Sequence, residues 1–377
     1  MARLWSSGQE LNSATNGVEN TFNFTPNIQT SIVRGGLYAA NPTPSGTAYN
    51  FVYDPYGSNT QGDLYVRSYF RITTAPSTQS VVVSIAGSAF LVSIRCNTDR
   101  TLELWNEEDA AQIGSDSSAL SLNTWYRIEL RLDTTTLASS VVDALIDGVS
   151  FASSSSQNLA TGSSRVRFGD SGAKTYSFSY DDIAINNTSG SFQNSYPGQG
   201  KIIHLRPNAA GDNTGWTGAY TDVDEVTPDD TTTKLSSNTL DQIEDMNIDS
   251  PTMMGDQDTV NVVAVGVRFN GVGASLNASF VLRIKASASG TVEESSAITP
   301  SNTTYVTNAA AAPRNYSLVL YDLPGASTTA WTKNDLEQAQ IGVRLSATST
   351  NAAQVSTLWA SVDYTPVTVK KWGVKPR

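Results

Sequence analysis

Residues 123–133 read NTWYRIELRLD, and the fold turns on how that stretch divides. Taken by twos, Tyr126, Ile128, Leu130 and Leu132 fall on one side. Trp125, Arg127, Glu129, Arg131 and Asp133 fall on the other. Successive strand side chains point to opposite faces of a sheet, so the pattern predicts a half-buried antiparallel strand with one apolar and one wetted face. Alternating charge on the wetted face also discourages wrong strand pairing.

The same rhythm runs outward from this stretch. RLWSS, TSIVRGG, DLYVRSYFRI, SVVVSIAG, FLVSIRCN, TLELWN, SVVDALIDG, SRVRFGD and YSFSYDDIAIN are strand candidates parted by polar turns. Short strands punctuated in this way predict a sandwich or jelly roll. Asp147-Gly148 is a tight-hairpin signal, because Gly accepts the positive φ such turns need. The serine run 153–156 is expected to lengthen the loop after it. At 186–200, NNTSGSFQNSYPGQG is rich in Asn, Ser and Gly and reads as a linker.

KIIHLRP then opens a second set of strands. A long polar loop is expected over 208–233, followed by strands in TVNVVAVGVRFN, SFVLRIKASAS, NYSLVLYDL, AQIGVRLSAT and STLWASVDYTPV. WTKNDLEQAQ carries the best helix start, with Thr332 as cap and Asp335 completing a capping box. The expected fold class is therefore all-β, with two β-sandwich (jelly-roll) domains at 1–195 and 196–368 and a basic tail at 369–377.

Composition agrees with strands and narrows the function. Apolar residues make up 39% of the 377 residues and charged ones 16%, with a formal charge of −11. A diffuse negative surface is a poor counterion-displacing surface, so nucleic acid is not an expected partner. Cys96 is the single cysteine, which excludes an intrachain disulfide, and its setting in LVSIRCN reads as a small buried strand residue. The N-terminus lacks the apolar core of a signal peptide, and no run approaches the ~18 apolar residues of a membrane span. Synthesis in a cytoplasm without an export signal, and no membrane partner, are the expectations.

Candidates for chemistry are few. His204 is the only histidine, which limits triad and zinc arguments, and its place at a strand start reads as structural. Glu103 and Glu108 stand five apart in ELWNEED. Sandwich glucanases set alternate carboxylates on one strand, but here Trp105 holds the middle position and Asn106–Asp109 reads as a turn. No catalytic residue is assigned, the chain is expected not to be an enzyme, and a glycoside hydrolase is the remote alternative. Asp181-Asp182 and the group Asp222, Asp224, Glu225, Asp229 and Asp230 offer hard oxygens for calcium without the Asp-x-Asp-x-Asp-Gly spacing. No cofactor is expected, calcium being the one ion those residues would take. Trp125, Trp216, Tyr220 and Trp331 are candidate stacking platforms for sugars. Lys370, Lys371, Trp372, Lys375 and Arg377 form a basic tail with an aromatic centre, a candidate anchor for an acidic partner surface. The Arg3-Leu4-Trp5 end is the alternative anchor.

Taken together, TLELWNEEDAAQIGSDSSALSLNTWYRIELRLD (101–133) resembles the concanavalin A-like, or laminin-G-like, jelly roll, and SFSYDDIAINN (177–187) looks like that family's final strand. The join at 180–218 and the later WTKNDLEQAQIGVRL are similar to tailed-bacteriophage virion proteins that couple such a domain to a second β-domain. The resemblance implies a virion structural protein, most simply a capsid decoration protein or head fibre, repeated as a homo-oligomer beside the major capsid protein or tail components. A tail-associated adhesin binding host surface carbohydrate is the alternative. The calcium-supporting loops of the family's lectins find no position-by-position match here, so no binding residues follow from them.

Overall fold

The computed structural model describes residues 2–13, 26–42, 51–53, 59–170, 174–230, 232–273, 275–300, 305–307, 318–326 and 328–367. Within these it is nearly all β, in four antiparallel sheets stacked as two sandwiches. Sheet I runs Val149–Gln157, Ser140–Ile146, Trp125–Asp133, Asp63–Thr74, Ser177–Asn187, Ala39–Pro42, Pro26–Gln29, with Arg3–Ser7 also paired to Ser177–Asn187. Sheet II runs Phe51–Tyr53, Arg165–Phe168, Ser80–Ala86, Phe90–Cys96, Leu102–Asn106, Ala111–Ile113.

Sheet III is built on Lys201–Leu205, Ala353–Thr365, Thr259–Gly271 and Val306–Thr307, with Leu235–Ser237 and Leu318–Leu320 added at its flanks. Sheet IV runs Pro207–Thr214, Ile243–Ile248, Gln340–Ala347, Ser279–Lys285, Val292–Glu294. The helix Lys333–Gln338 starts as its sequence predicts: the Thr332 hydroxyl accepts from the Asp335 N–H while the Asp335 carboxylate accepts from the Thr332 N–H.

Period-2 alternation sends one set of side chains between each pair of sheets. Between sheets I and II, Ile128, Leu130 and Leu132 meet Val92, Ile94, Leu102 and Leu104, and Phe70 lies edge-on to Phe178 at 4.9 Å. Between sheets III and IV, Val263, Val265 and Val267 meet Leu282, Ile284, Ile341 and Val343. Cys96 is fully buried in the first core, where desolvation pushes its thiol up to about 12. Among the described residues no helix is long and apolar enough to cross a membrane.

Four local expectations are corrected. TSIVRGG is a series of bends, because the Asp181 carboxylate takes the Arg34 and Gly35 N–H groups that a ladder would have used. The serine run lies inside the strand Val149–Gln157, held by pairing to Ser140–Ile146 rather than by its own preference. Pro207–Thr214, expected as the start of a loop, pairs with Ile243–Ile248. The charged face of NTWYRIELRLD is not wetted at its centre: Arg127 and Glu129 are buried. Residues 196–200 cross that face. The Gly198 N–H donates to Glu129 at 2.9 Å, the Tyr196 hydroxyl to Asp143 at 2.8 Å, and Tyr196 meets Tyr65 edge-on.

The outer face of sheet I is thus turned toward the second sandwich. Arg3 and Arg67 reach across it to Asp363, with nitrogen–oxygen distances of 2.7 and 3.2 Å. Arg3, Leu4 and Trp5 are buried in this arrangement and form a strand of sheet I, which corrects their reading as an anchoring end.

Candidate functional site

With one face of the first sandwich covered, its other outer face, on sheet II, is the one that looks away from the second sandwich. Strand alternation dictates what it shows. Val92, Ile94, Leu102 and Leu104 point into the core, so Ser93, Arg95, Glu103 and Trp105 point out. Register then aligns them in rows: Val81, Arg95 and Glu103 lie side by side, and beside them Arg167, Ser84, Ser93 and Trp105.

Closed hydrogen-bond pairs order these side chains. Glu107, on the turn after Leu102–Asn106, receives Arg95 Nε at 3.1 Å and a terminal Arg95 nitrogen at 2.6 Å, and also the Ser93 hydroxyl. Gln79 bridges two members of the first row, accepting from Arg95 at 2.9 Å and donating to Glu103 at 2.7 Å. Glu103 further receives the Asn97 amide at 2.7 Å and the Trp105 indole N–H at 2.5 Å. Asp170 receives the Val81 N–H and pairs with Lys174 at 2.8 Å. Two rings carry cations on their faces: Arg95 over Trp105 at 4.0 Å and Arg167 over Phe90 at 4.6 Å.

The result is a groove of about 240 Å³ lined by Gln79, Val81, Phe90, Arg95, Glu107, Asp170 and Lys174, with Glu103 and Trp105 alongside. Arg95 with Glu107 and Lys174 with Asp170 are counter-charged, and Glu103 is held by the Gln79 and Asn97 amides, so the groove presents fixed donors and acceptors. Such a lining suits a polyhydroxylated ligand with an apolar C–H face.

Most sequence-derived candidates do not meet here. Trp216 and Trp331 are buried in the second core, Trp216 edge-on to Phe280, and Tyr220 packs against the same core; their reading as sugar platforms is corrected. Trp125 is half-buried at the start of its strand in sheet I, on the other layer. Lys370, Lys371, Trp372, Lys375 and Arg377 lie outside the described residues. Glu108 sits on the turn 107–110 and accepts the Ala160 N–H at 2.7 Å, so it turns away from Glu103, as its neighbours in sequence suggested. Glu107, one position earlier, is the carboxylate that enters the groove. Sequence reasoning passes over it because a turn residue has no place in a strand-period count, whereas Ser93, Arg95, Glu103 and Trp105 are visible as the polar positions of two alternating strands.

Three of the calcium candidates, Asp181, Asp182 and Asp230, are engaged by protein donors. Asp181 takes backbone N–H groups, Asp182 takes Arg34 and the Ile202 N–H, and Asp230 pairs with Arg268 at 2.6 Å. Among the described residues no three His, Cys, Asp or Glu side chains cluster as a metal site. His204 is stacked on Trp359, and desolvation holds its imidazole well below the usual range, which fits a structural place.

No known protein family matches the sequence, and no curated protein matches it. Solved structures do resemble it over about half its length. A cellulose-induced protein, Cip1, is 17% identical over 48% of this chain and 95% of its own, with a TM-score of 0.37. An endo-β-1,4-glucuronan lyase from the fungus Trichoderma reesei is 13% identical over 49% and 95%, with a TM-score of 0.35. A Trypanosoma rangeli sialidase is 15% identical over 49% of this chain and 30% of its own, with a TM-score of 0.34. The latter two are named as enzymes, and on that finding the expectation that the chain is not an enzyme is withdrawn. These distant likenesses assign no activity to it.

Proposed function

We propose that this chain is a surface component of a tailed-bacteriophage particle, a capsid decoration or head-fibre protein, that offers a neutral-saccharide-binding groove on sheet II. The observation that carries the binding reading is the outward hydrogen-bonded cluster of Gln79, Arg95, Glu103, Trp105 and Glu107 on the layer turned away from the second sandwich. Paired charges favour a neutral sugar, because a net charge on the ligand would meet a like-charged member of each pair. Many copies on a symmetric particle would turn a weak single contact into a firm one. The placement on a phage particle rests on the resemblance of residues 180–218 and 331–345.

A glycan array probed with the purified chain tests the groove. Binding to neutral glycans that disappears in Arg95→Ala and in Trp105→Ala, with folding intact by circular dichroism, is the expected result. No binding on the array, or binding unaltered in both variants, ends the reading. Cryo-electron microscopy of particles tests the location. Density across the capsid lattice is expected, and density at the tail alone would move the protein to the adhesin role.

A further inference from the structure

The outer face of sheet I meets the second sandwich around Arg67 and Glu129, but the cover does not extend along the whole face. One row near its end stays open. Ile128 and Leu130 on one strand, and Phe70 and Ile72 on the next, point into the core, so alternation turns Trp125 and Arg71 outward. Register sets these two side by side, with Ser179 next in the row. Cross-strand neighbours of this kind have their Cβ atoms about 5 Å apart.

The adjacent row, Arg127, Tyr69 and Asp181, is satisfied from within. Arg127 pairs with Glu129 at 2.9 Å, the Arg34 guanidinium lies over the Tyr69 ring, and Asp181 receives the Arg34 and Gly35 N–H groups. The row of Trp125 and Arg71 differs. Arg71 donates to the Thr73 hydroxyl at 3.1 Å and to the Asn123 side-chain carbonyl at 3.0 Å. These bonds fix the guanidinium but occupy only two of its five N–H donors. Among the described residues no carboxylate pairs with it, in a chain of net charge −11. Trp125 is half-buried, and among the described residues no ring packs on it and no acceptor takes its indole N–H. Asn123 is exposed beside them. Its N–H donates to the Ile72 carbonyl at 2.8 Å, which pins its turn against the strand Asp63–Thr74.

Charge decides what such a surface takes. A fixed guanidinium without an acid favours a carboxylate, which it can hold through parallel N–H bonds, and an open indole suits the C–H face of a sugar ring. We propose that Trp125, Arg71 and Asn123 form a second saccharide site, selective for an acidic pyranoside. The ring stacks on the Trp125 indole, its carboxylate accepts from Arg71, and a ring hydroxyl meets the Asn123 amide. The first sandwich would then carry a neutral-sugar groove on one layer and an acidic-sugar site on the other. The two use different residues, so each holds or fails by itself.

The test titrates methyl β-D-glucuronide and methyl β-D-glucoside, which share a ring and differ in the carboxylate, into the full chain by ligand-observed NMR. Each is also titrated into Trp105→Ala, which removes the ring of the sheet II groove. In both proteins the glucuronide should bind at least ~10-fold more tightly, the worth of one hydrogen bond to a charged group. Arg71→Gln should erase that preference, and Trp125→Ala should weaken the glucuronide by a similar factor. Both side chains are only half-buried, so circular dichroism should be unchanged. No detectable glucuronide binding, or equal affinity for the two glycosides in Trp105→Ala, would overturn the proposal. So would glucuronide binding that is unaltered by Arg71→Gln or by Trp125→Ala, or that is lost in Trp105→Ala.

Discussion

At the residue scale, the carboxylates of the junction divide by the sign of their titration. Burial alone would raise the Asp363 carboxyl, but Arg67 and Arg3 beside it hold it below the usual carboxylate range. A depressed folded value means its stabilisation is fully present above the unfolded value of about 4 and is lost as the pH falls through the lower folded one. Asp363→Asn removes the carboxylate that two buried guanidinium groups share and should cost about 3–5 kcal/mol in urea unfolding at neutral pH. A cost near zero would mean that the arginines find other partners. Asp181 behaves in the opposite sense. Burial first, and then the charge of Asp182, push its carboxyl well above the usual range, so stability erodes as the pH rises from about 4 through that raised value. Asp181→Asn has no proton to lose there. Its unfolding free energy, followed from pH 4 to 8, should decline less steeply than that of the parent chain.

Turns and caps carry the predictions at the scale of elements. Asp147 and Gly148 have φ of 53° and 88°, which is the geometry that lets a two-residue turn follow the twist of its strands. Gly148→Ala should cost about 1–2 kcal/mol, since a Cβ at positive φ is strained and this one would also meet the Arg127 guanidinium. Thr332→Ala removes the hydroxyl that receives the Asp335 N–H and should cost about 1 kcal/mol by thermal unfolding. Both features were legible in the sequence because turn and cap chemistry is local. So were the strands centred on Ile128, Val265 and Leu358, whose apolar positions recur by twos. The illegible features depended on distant partners. The strand 207–214 exists because Ile243–Ile248 lies beside it, and the bends at 30–36 exist because Asp181 is 146 residues away and buried. The groove was half legible: alternation placed Arg95, Glu103 and Trp105 on one face, but only folding brings Asp170 and Lys174 to Gln79.

At the scale of the whole molecule, the question is whether two sandwiches make one cooperative unit. Their contact is dominated by directional bonds. Asp363 joins Arg3 and Arg67, Arg34 and the Ile202 N–H share Asp182, and Arg206 donates to the Glu10 carbonyl. Apolar support is smaller, in the contact of Leu11 with Trp359 and the stacking of Phe192 on Tyr321 at 5.3 Å. Strand Arg3–Ser7 strengthens the coupling, because it is hydrogen-bonded into sheet I while its Arg3 side chain is committed to sheet III. Opening this contact breaks both guanidinium pairs of Asp363 and the Ile202 bond to Asp182 together, leaving Arg3 and Asp182 only their partners within the first sandwich. Calorimetry of the parent chain should therefore give one transition with equal calorimetric and van't Hoff enthalpies. Asp363→Ala should split it in two, because inter-domain contacts of this polar kind fail as soon as their central charge is removed. Two separated transitions in the parent chain would show that the ionic contact orients the sandwiches without coupling their folding. A single transition surviving in Asp363→Ala would place the coupling in Leu11, Trp359 and the residues 196–200 that cross sheet I.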